Sequence, residues 1–379
     1  MTDRLIFLAA GGTGGHLFPA EALAHELKAR GYGVHLVTDS RAARYAGKFP
    51  ADEIHVVPSA TISSKNPIVV AKAALMLWRG LIAARRILRS HRPAAIVGFG
   101  GYPTVPPLMS AVRFGIPSVV HEQNAVMGRA NKALAPRVQA IAGGFLKPSG
   151  AFAGKIVEVG NPVRPSVIEA ATVPFTPPQE EGELRLTVFG GSQGARFFSD
   201  MVPEAVARLP EALRKRLHIV QQARAEDEAR VKARYGELGV EAEIASFFSD
   251  LPGRVAQSHL VIGRAGASTV LELTVIGRPS ILVPLPIALD DDQGHNAQIL
   301  VDVGAAEMRR QNTIDPDNLA AEIASLLSDP ARLAAMAAAA RTLSRTDAQT
   351  RLADLVVAIA EGETVEHFKT HCNNKGARP

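Results

Sequence analysis

Two successive alternations of short apolar strands with longer helical patterns constrain this chain more than any other feature. Each alternation opens on a strand that feeds a glycine-rich turn. Residues 5–9 lead into Gly11-Gly12-Thr13-Gly14-Gly15-His16, and residues 186–189 lead into Gly190-Gly191-Ser192-Gln193-Gly194-Ala195. In the first half, strands are expected at 5–9, 34–38, 54–57, 95–99, 118–121 and 156–159, with helices at 19–30, 68–90, 105–113 and 127–134. In the second, strands are expected at 184–189, 217–221, 243–247, 260–262 and 280–283, before Ala-rich helices from Asp317 onward. Strands separated by helices read as a parallel sheet covered on both faces. The pattern breaks at Asn161-Pro162-Val163-Arg164-Pro165 and again in the Pro- and Glu-rich stretch 174–183, which marks a boundary. The expected class is therefore α/β, with two Rossmann-like doubly wound domains facing each other across a cleft and ligands at the carboxyl ends of the strands. The first domain covers 1–163 and the second 164–345. A helix at 346–360 is expected to pack back on the first domain, and a poorly ordered polar tail to occupy 361–379.

A chain of 379 residues with 47% hydrophobic and 21% charged residues has enough apolar surface for two cores. No apolar run reads as long enough to span a bilayer and the N-terminus enters a strand directly, so a cytoplasmic protein is expected. The single cysteine, Cys372, excludes an internal disulfide and a cysteine-rich metal site. Charge is uneven. Through Val163 there are 19 Lys and Arg against 8 Asp and Glu, and beyond it 23 against 29. From Ile54 to Val157 the only acid is Glu122, among 13 basic residues. Such a half attracts phosphates or an anionic membrane. Nucleic acid is not expected, because interleaved aromatics, zinc-finger spacing and a helix-turn-helix signal are missing.

The strongest chemical signal lies between Gly263 and Asn296. The run Leu260-Val261-Ile262 turns through Gly263-Arg264-Ala265-Gly266 into Ala267-Ser268-Thr269-Val270-Leu271-Glu272. A buried strand feeding a helix in this way offers unpaired N–H groups and a positive helix end to one point, which suits a phosphate. Glu272, about one and a half turns on, can accept hydrogen bonds from sugar hydroxyls. With the polar loop Asp290 to Asn296 that follows the next strand, the stretch reads as a nucleotide-sugar pocket. The plain alternative is a strand-turn-helix with a packing glycine.

Gly11 to His16 departs from the strict G-x-G-x-x-G spacing, which argues against hydride transfer. It does place an imidazole at a strand's carboxyl end, where histidine can take a proton from an attacking hydroxyl near neutral pH. Gly98-Phe99-Gly100-Gly101-Tyr102-Pro103 is a further glycine-rich strand end, as expected if a diphosphate donor and a diphosphate acceptor must both be held. His121-Glu122-Gln123-Asn124 brings four polar side chains to the same edge. The helix at 68–90 interleaves Met76, Leu77, Trp78, Leu81 and Ile82 with Lys72, Arg79, Arg85, Arg86 and Arg89. It is either a core helix with a solvated basic face or a surface that settles on anionic lipid. Asp290-Asp291-Asp292 has a D-x-D form, but without a further carboxylate or His cluster a solvated acidic loop is expected and no metal site.

Together these motifs resemble the MurG family of UDP-N-acetylglucosamine transferases of peptidoglycan synthesis, which have the GT-B architecture. The resemblance rests on Gly11–His16 with Phe18-Pro19-Ala20, Gly98–Pro103, His121–Asn124 with Asn131-Lys132, Gly160–Arg164, Gly190–Ala195, Arg264–Glu272, and Gln293 with Asn296-Ala297. It implies inverting transfer of GlcNAc from UDP-GlcNAc to the C4 hydroxyl of the muramoyl sugar of lipid I (undecaprenyl-diphospho-MurNAc-pentapeptide), giving lipid II. On matching positions it implies His16 as general base. Thr13, Gly14, Gly15, Asn124, Arg164, Ser192, Phe248, Ala267, Ser268, Thr269, Glu272 and Gln293 are implied at the donor, with Phe248 near uracil, Glu272 on the ribose and Gln293 on the sugar. Gly100, Gly101, Tyr102, His121, Glu122 and Asn131 are assigned to the acceptor, and Lys72, Trp78, Arg79 and Arg86 to a membrane face. No cofactor and no strict metal requirement are expected, with the protein peripheral on the cytoplasmic face of the inner membrane. Asp292 stands where some members carry a second glutamine. The competing readings are another GT-B enzyme with a lipid acceptor, such as a diacylglycerol galactosyltransferase, a UDP-GlcNAc epimerase, and a silent nucleotide-sugar binding module.

Overall fold

The computed structural model describes residues 5–11, 14–41, 49–60, 66–191, 196–286 and 289–375. The chain divides into two compact units, Met1–Val163 with Thr346–Pro379, and Arg164–Arg345. Among the described residues the first unit carries β1 (Leu5–Ala9), β2 (Gly33–Thr38), β3 (Glu53–Val56), β4 (Ala95–Gly98), β5 (Ser118–Glu122), β6 (Ala140–Gly143) and β7 (Ile156–Glu158). They pair in parallel in the order β3-β2-β1-β4-β5-β6-β7. Successive residues of a strand face opposite sides, and both sides of this sheet are apolar. Ile6, Leu8, Leu36, Val97 and Val119 pack to one face, and Phe7, Ala9, Val37, Ile96 and Val120 to the other. A parallel sheet needs helices over both faces, and these strands are apolar on both accordingly.

The second unit repeats the plan with β8 (Leu184–Phe189), β9 (Leu217–Gln222), β10 (Glu241–Ala245), β11 (Leu260–Gly263), β12 (Ser280–Leu282) and β13 (Ala306–Met308). Its parallel order is β10-β9-β8-β11-β12-β13. In each unit the order reverses once, between β1 and β4 and between β8 and β11. At such a point the two connections leave to opposite faces and open a crevice at the carboxyl ends.

Several expectations are corrected. The polar tail after Glu361 is a helix, Val365–Lys375, whose Val365 and Phe368 enter the first unit's core beside Leu352, Leu355, Val356 and Ile359 of helix Ala348–Ala360. Two apolar anchors in an otherwise polar stretch are enough to seat it. The first helix starts at Gly14, not Pro19, and holds Pro19 inside. Proline therefore removes an internal N–H and does not open the helix. Helix Pro67–His91 is long and apolar enough to cross a membrane by length and composition. The charges at Lys72, Arg79, Arg85, Arg86 and Arg89 disguise that run in the sequence. Ala73, Gly80, Ala84 and Leu88 are its buried residues.

Candidate active site

In the first unit the ends of β1 and β4 meet at His16. His16 lies in the first turn of helix Gly14–Ala29, and its ring rests on the backbone of Gly100 and Gly101. Both glycines have positive φ, 88° and 74°, and a Cβ added to either would stand 3.2–3.3 Å from the His16 ring. Glycine is therefore required twice over, for backbone conformation and for room.

A chain of hydrogen bonds then fixes the ring. The carbonyl of Gly160 can only accept, so His121 Nε2, 3.1 Å away, carries a proton. That leaves His121 Nδ1 as acceptor for Gln123 Nε2 at 2.9 Å, and Gln123 Nε2 also faces the carbonyls of Phe99 and His121. The amide is thereby oriented with Oε1 toward His16 Nδ1, at 3.2 Å. In the neutral ring Nδ1 must donate, and Nε2 keeps the free lone pair. His121 is fully buried, and that burial pulls its imidazole down to about 4, so it stays neutral and the order of donors holds.

Glu122 has a different part from the acceptor contact expected of it. Its carboxylate accepts from the backbone and side-chain N–H of Asn124 at 3.0 and 3.1 Å, from Gly128 N at 2.8 Å and from Asn131 Nδ2 at 2.9 Å. These four bonds occupy the lone pairs of both oxygens. It is an organiser of the loop after β5, and the buried Asn131 is its partner, also bonded to the carbonyl of His121 at 3.1 Å. Tyr102 opens the turn Tyr102–Thr104 beside these glycines and is half-buried.

In the second unit β11 delivers helix Ala267–Ile276, capped by the backbone of Gly266 without a side-chain hydrogen bond. Ala267 and Ser268 are half-buried and Thr269 is buried, so the helix presents first-turn amides at the strand's carboxyl end. Arg264 ties the neighbouring strand end, donating to the carbonyls of Val283 and Pro284 at 3.0 and 3.2 Å and to Gln311 Oε1 at 2.6 Å. Burial pushes its guanidinium down to about 10. Gln293 Oε1 accepts from the backbone of Ala265 at 3.3 Å and of Leu285 at 3.0 Å, and Asn296 Nδ2 donates to the carbonyl of Ala265 at 3.2 Å. Gln293, expected to read the sugar, thus uses its oxygen to hold the turn.

Arg164 and Glu272, expected as separate donor contacts, form an ion pair with each other. Burial raises the Glu272 carboxyl above its ordinary value, and Arg164 opposes the shift. The acidic loop is likewise paired. Asp290 and Asp291 have positive φ, and both carboxylate oxygens of Asp291 engage Arg310, at 2.5 and 2.7 Å. Phe248 is buried with the Arg254 guanidinium 4.5 Å from its ring centroid.

The structure thus gathers Gly15, His16, Gly100, Gly101, His121, Glu122, Asn124 and Asn131 around one crevice, and Arg164, Ala267, Ser268, Thr269, Glu272 and Gln293 around the other. Thr13 and Ser192 lie outside the described residues, and of Gly14 only its place in the first helix is described. Gln123 is the residue the sequence assignments left out. Its signal was its place in the polar run that closes β5. One cluster of histidines and a carboxylate stands apart from both crevices. His35, Glu53, His55 and His91 have ligand atoms within 4.8 Å of one another, because two strands and a helix end bring distant residues together.

The glycosyltransferase family 28 N-terminal domain matches residues 6–142 and the family 28 C-terminal domain matches 185–352. A UDP-N-acetylglucosamine--N-acetylmuramyl-(pentapeptide) pyrophosphoryl-undecaprenol N-acetylglucosamine transferase of Sinorhizobium fredii is 60% identical, over 97% of this chain and 99% of its own. A protein of the same description from Agrobacterium fabrum is 58% identical over the full length of both chains. The crystal structure of MurG from Acinetobacter baumannii matches with a TM-score of 0.76 at 28% identity, covering 93% of this chain and 99% of that one.

Proposed function

The chain belongs to the MurG family within glycosyltransferase family 28, and on that premise we propose that it transfers GlcNAc from UDP-GlcNAc to the C4 hydroxyl of the MurNAc of lipid I, forming lipid II. The observation that carries the reading is the relay ending at His16, because it engages Nδ1 with Gln123 Oε1 and leaves Nε2 for the acceptor hydroxyl. In this reading Nε2 takes the proton of the C4 hydroxyl as that oxygen bonds to the anomeric carbon from the face opposite UDP. The bond from the anomeric carbon to the diphosphate oxygen breaks, the pair leaves with UDP, and configuration inverts. First-turn amides of helix Ala267–Ile276 meet the negative charge that develops on the departing diphosphate. Gln123 and His121 are positioning residues for the base. Glu272 and Arg164 act as a unit, the carboxylate facing the ribose. The diphosphate is held by amides and cations of the chain, with no metal requirement.

UDP release from UDP-GlcNAc, measured with and without a lipid I analogue in excess chelator, tests this. Release that depends on the acceptor and survives chelation is the expected result. Release without acceptor would favour the epimerase reading, and release only with added divalent cation would return the reaction to the Asp290–Asp292 loop.

The acceptor's lipid requires contact with a membrane surface. Helix Pro67–His91 leaves Ile68 65% and Trp78 58% exposed, with Val69, Leu75 and Met76 also outward among Lys72, Arg79 and Arg86. Apolar side chains set among cations suit the headgroup boundary of an anionic leaflet, and the peripheral position on the cytoplasmic face follows. Neutralising Lys72, Arg79 and Arg86 together should weaken binding to anionic vesicles by about 3 kcal/mol, read by co-sedimentation. Unchanged binding would remove this face from the proposal.

A further inference from the structure

On the face of the first sheet under helix Pro67–His91, three imidazoles and a carboxylate converge. His35 comes from β2, and Glu53 and His55 come from β3. Strand pairing sets His35 opposite Glu53, and His55 is two residues along on the same face. His91 is supplied by the last turn of the helix. His35 Nδ1 and His55 Nε2 are 3.1 Å apart, His35 Nδ1 and Glu53 Oε2 3.8 Å, and His91 Nε2 and Glu53 Oε2 3.3 Å. Ligand atoms about 2.0–2.1 Å from a tetrahedral ion stand roughly 3.3 Å from one another, so these separations bracket the edge of such a site.

The protons point the same way. His91 Nδ1 lies 2.9 Å from the carbonyl of Ile87, which can only accept, so Nδ1 donates there. In the neutral ring Nε2 is then a lone pair aimed at a carboxylate oxygen, two acceptors face to face that a bound cation or a proton on Nε2 must bridge. A histidine whose other nitrogen donates to a backbone carbonyl is also how protein-bound transition metals hold their imidazoles. On the inner side Phe7, fully buried, stacks on His35 and His55 with ring centroids 5.1 and 5.6 Å apart.

We propose that His35, Glu53, His55 and His91 form a binding site for a divalent cation of the zinc class, clamping β2, β3 and the end of helix Pro67–His91. Imidazole-rich nitrogen and oxygen ligands select zinc and its neighbours over calcium or magnesium. The ligands stand on the sheet face and the helix end, apart from His16 and the glycine turns, so the ion would be structural.

Tag-free full-length protein, stripped of metal, would be titrated with Zn²⁺ against a chromophoric chelator. A single equivalent should bind, and its affinity should fall more than about 10-fold in His91→Ala. Glu53→Gln should also weaken it, and both side chains are exposed enough to change without unfolding the sheet, with circular dichroism as the check. Cobalt(II) should give the visible absorption of a four-coordinate ion in wild type and lose it in His91→Ala. His371→Ala, which removes one of the exposed pair His367 and His371, should change neither readout. Equal zinc affinity in wild type and both cluster variants would overturn the proposal and leave the cluster as an imidazolium paired with Glu53. Dependence on His371 would overturn it too.

Discussion

The crevice at β1/β4 and the crevice at β8/β11 arise from the same strand order, yet one is organised by a relay of hydrogen bonds and the other by ion pairs. At the first, His121, Gln123 and His16 pass a fixed order of donors and acceptors from the carbonyl of Gly160. At the second, Arg164 meets Glu272, Asp291 meets Arg310 and Arg264 spans two strand ends. Topology determines where a ligand is met, and the side chains planted there determine the chemistry. A base must keep its proton count fixed until the substrate arrives, which neutral relays do well. A group that receives a leaving dianion is better served by charge and amide dipoles.

Breaking the neutral side should have the largest effect. His16→Ala should lower kcat by about 10²–10⁴ while calorimetric UDP binding stays unchanged, since the contacts proposed for the donor's diphosphate lie in the other unit. Normal turnover would sink the base assignment. Gln123→Met should cost about 10-fold in kcat with little change in KM, because it removes the acceptor that orients His16. Gln123→Glu, which keeps that acceptor, should recover much of the loss. In a His16→Ala background Gln123→Met should cost nothing further, as groups acting as one unit are not additive. An independent, additive loss would mean that Gln123 does something other than orient the ring.

The pH response should separate the two crevices next. His121 is held at about 4 when folded and returns to the ordinary value near 6.5 when unfolded. Between those values the unfolded chain binds the extra proton, so stability is lost as pH falls from about 6.5 toward 4. The full shift is worth on the order of 3 kcal/mol. His35, His55 and His259 are lowered as well and act in the same direction. His121→Asn, compared with wild type by melting at pH 7 and pH 5, isolates the one contribution, and an equal loss in both proteins would break the link.

On the ionic side the expected change is smaller. Arg164→Met should destabilise the second unit by about 2 kcal/mol, below the ~3–5 for a fully buried pair because the Arg164 side chain is 30% exposed. Hydrogen exchange in helix Ala267–Ile276 would read it. Adding Glu272→Gln should restore most of the protection, since no buried charge is then left alone. Failure of that rescue would mean that Arg164 stabilises the helix by packing instead.

Much of this was legible in the residues. The strands rich in Val, Ile and Leu declared themselves, as did the glycine turns after β1, β4 and β11. β6 and β13 did not, because Ala140-Ile141-Ala142-Gly143 and Ala306-Glu307-Met308 carry little β-propensity and are strands through their neighbours. Among site residues, sequence placed His16 and the polar run 121–124 correctly at one edge. It could not show which carboxylate is already spent. Glu122 looked available for a ligand as the one acid in a long basic stretch, but its partners are backbone amides and asparagines. Arg164 and Glu272 stand 108 residues apart, a pairing that only the fold can make. The histidine cluster was hidden for the same reason.

The C-terminal return to the first unit has a consequence for synthesis. Domains ordinarily fold in the order they leave the ribosome. Here Arg164–Arg345 is one uninterrupted segment, whereas the first unit takes Leu352, Leu355, Val356, Ile359 and Phe368 into its core from beyond it. The unit translated first must therefore wait, with the part of one sheet face over β4 to β6 uncovered, until the second has been made. The half that carries His16 is completed last.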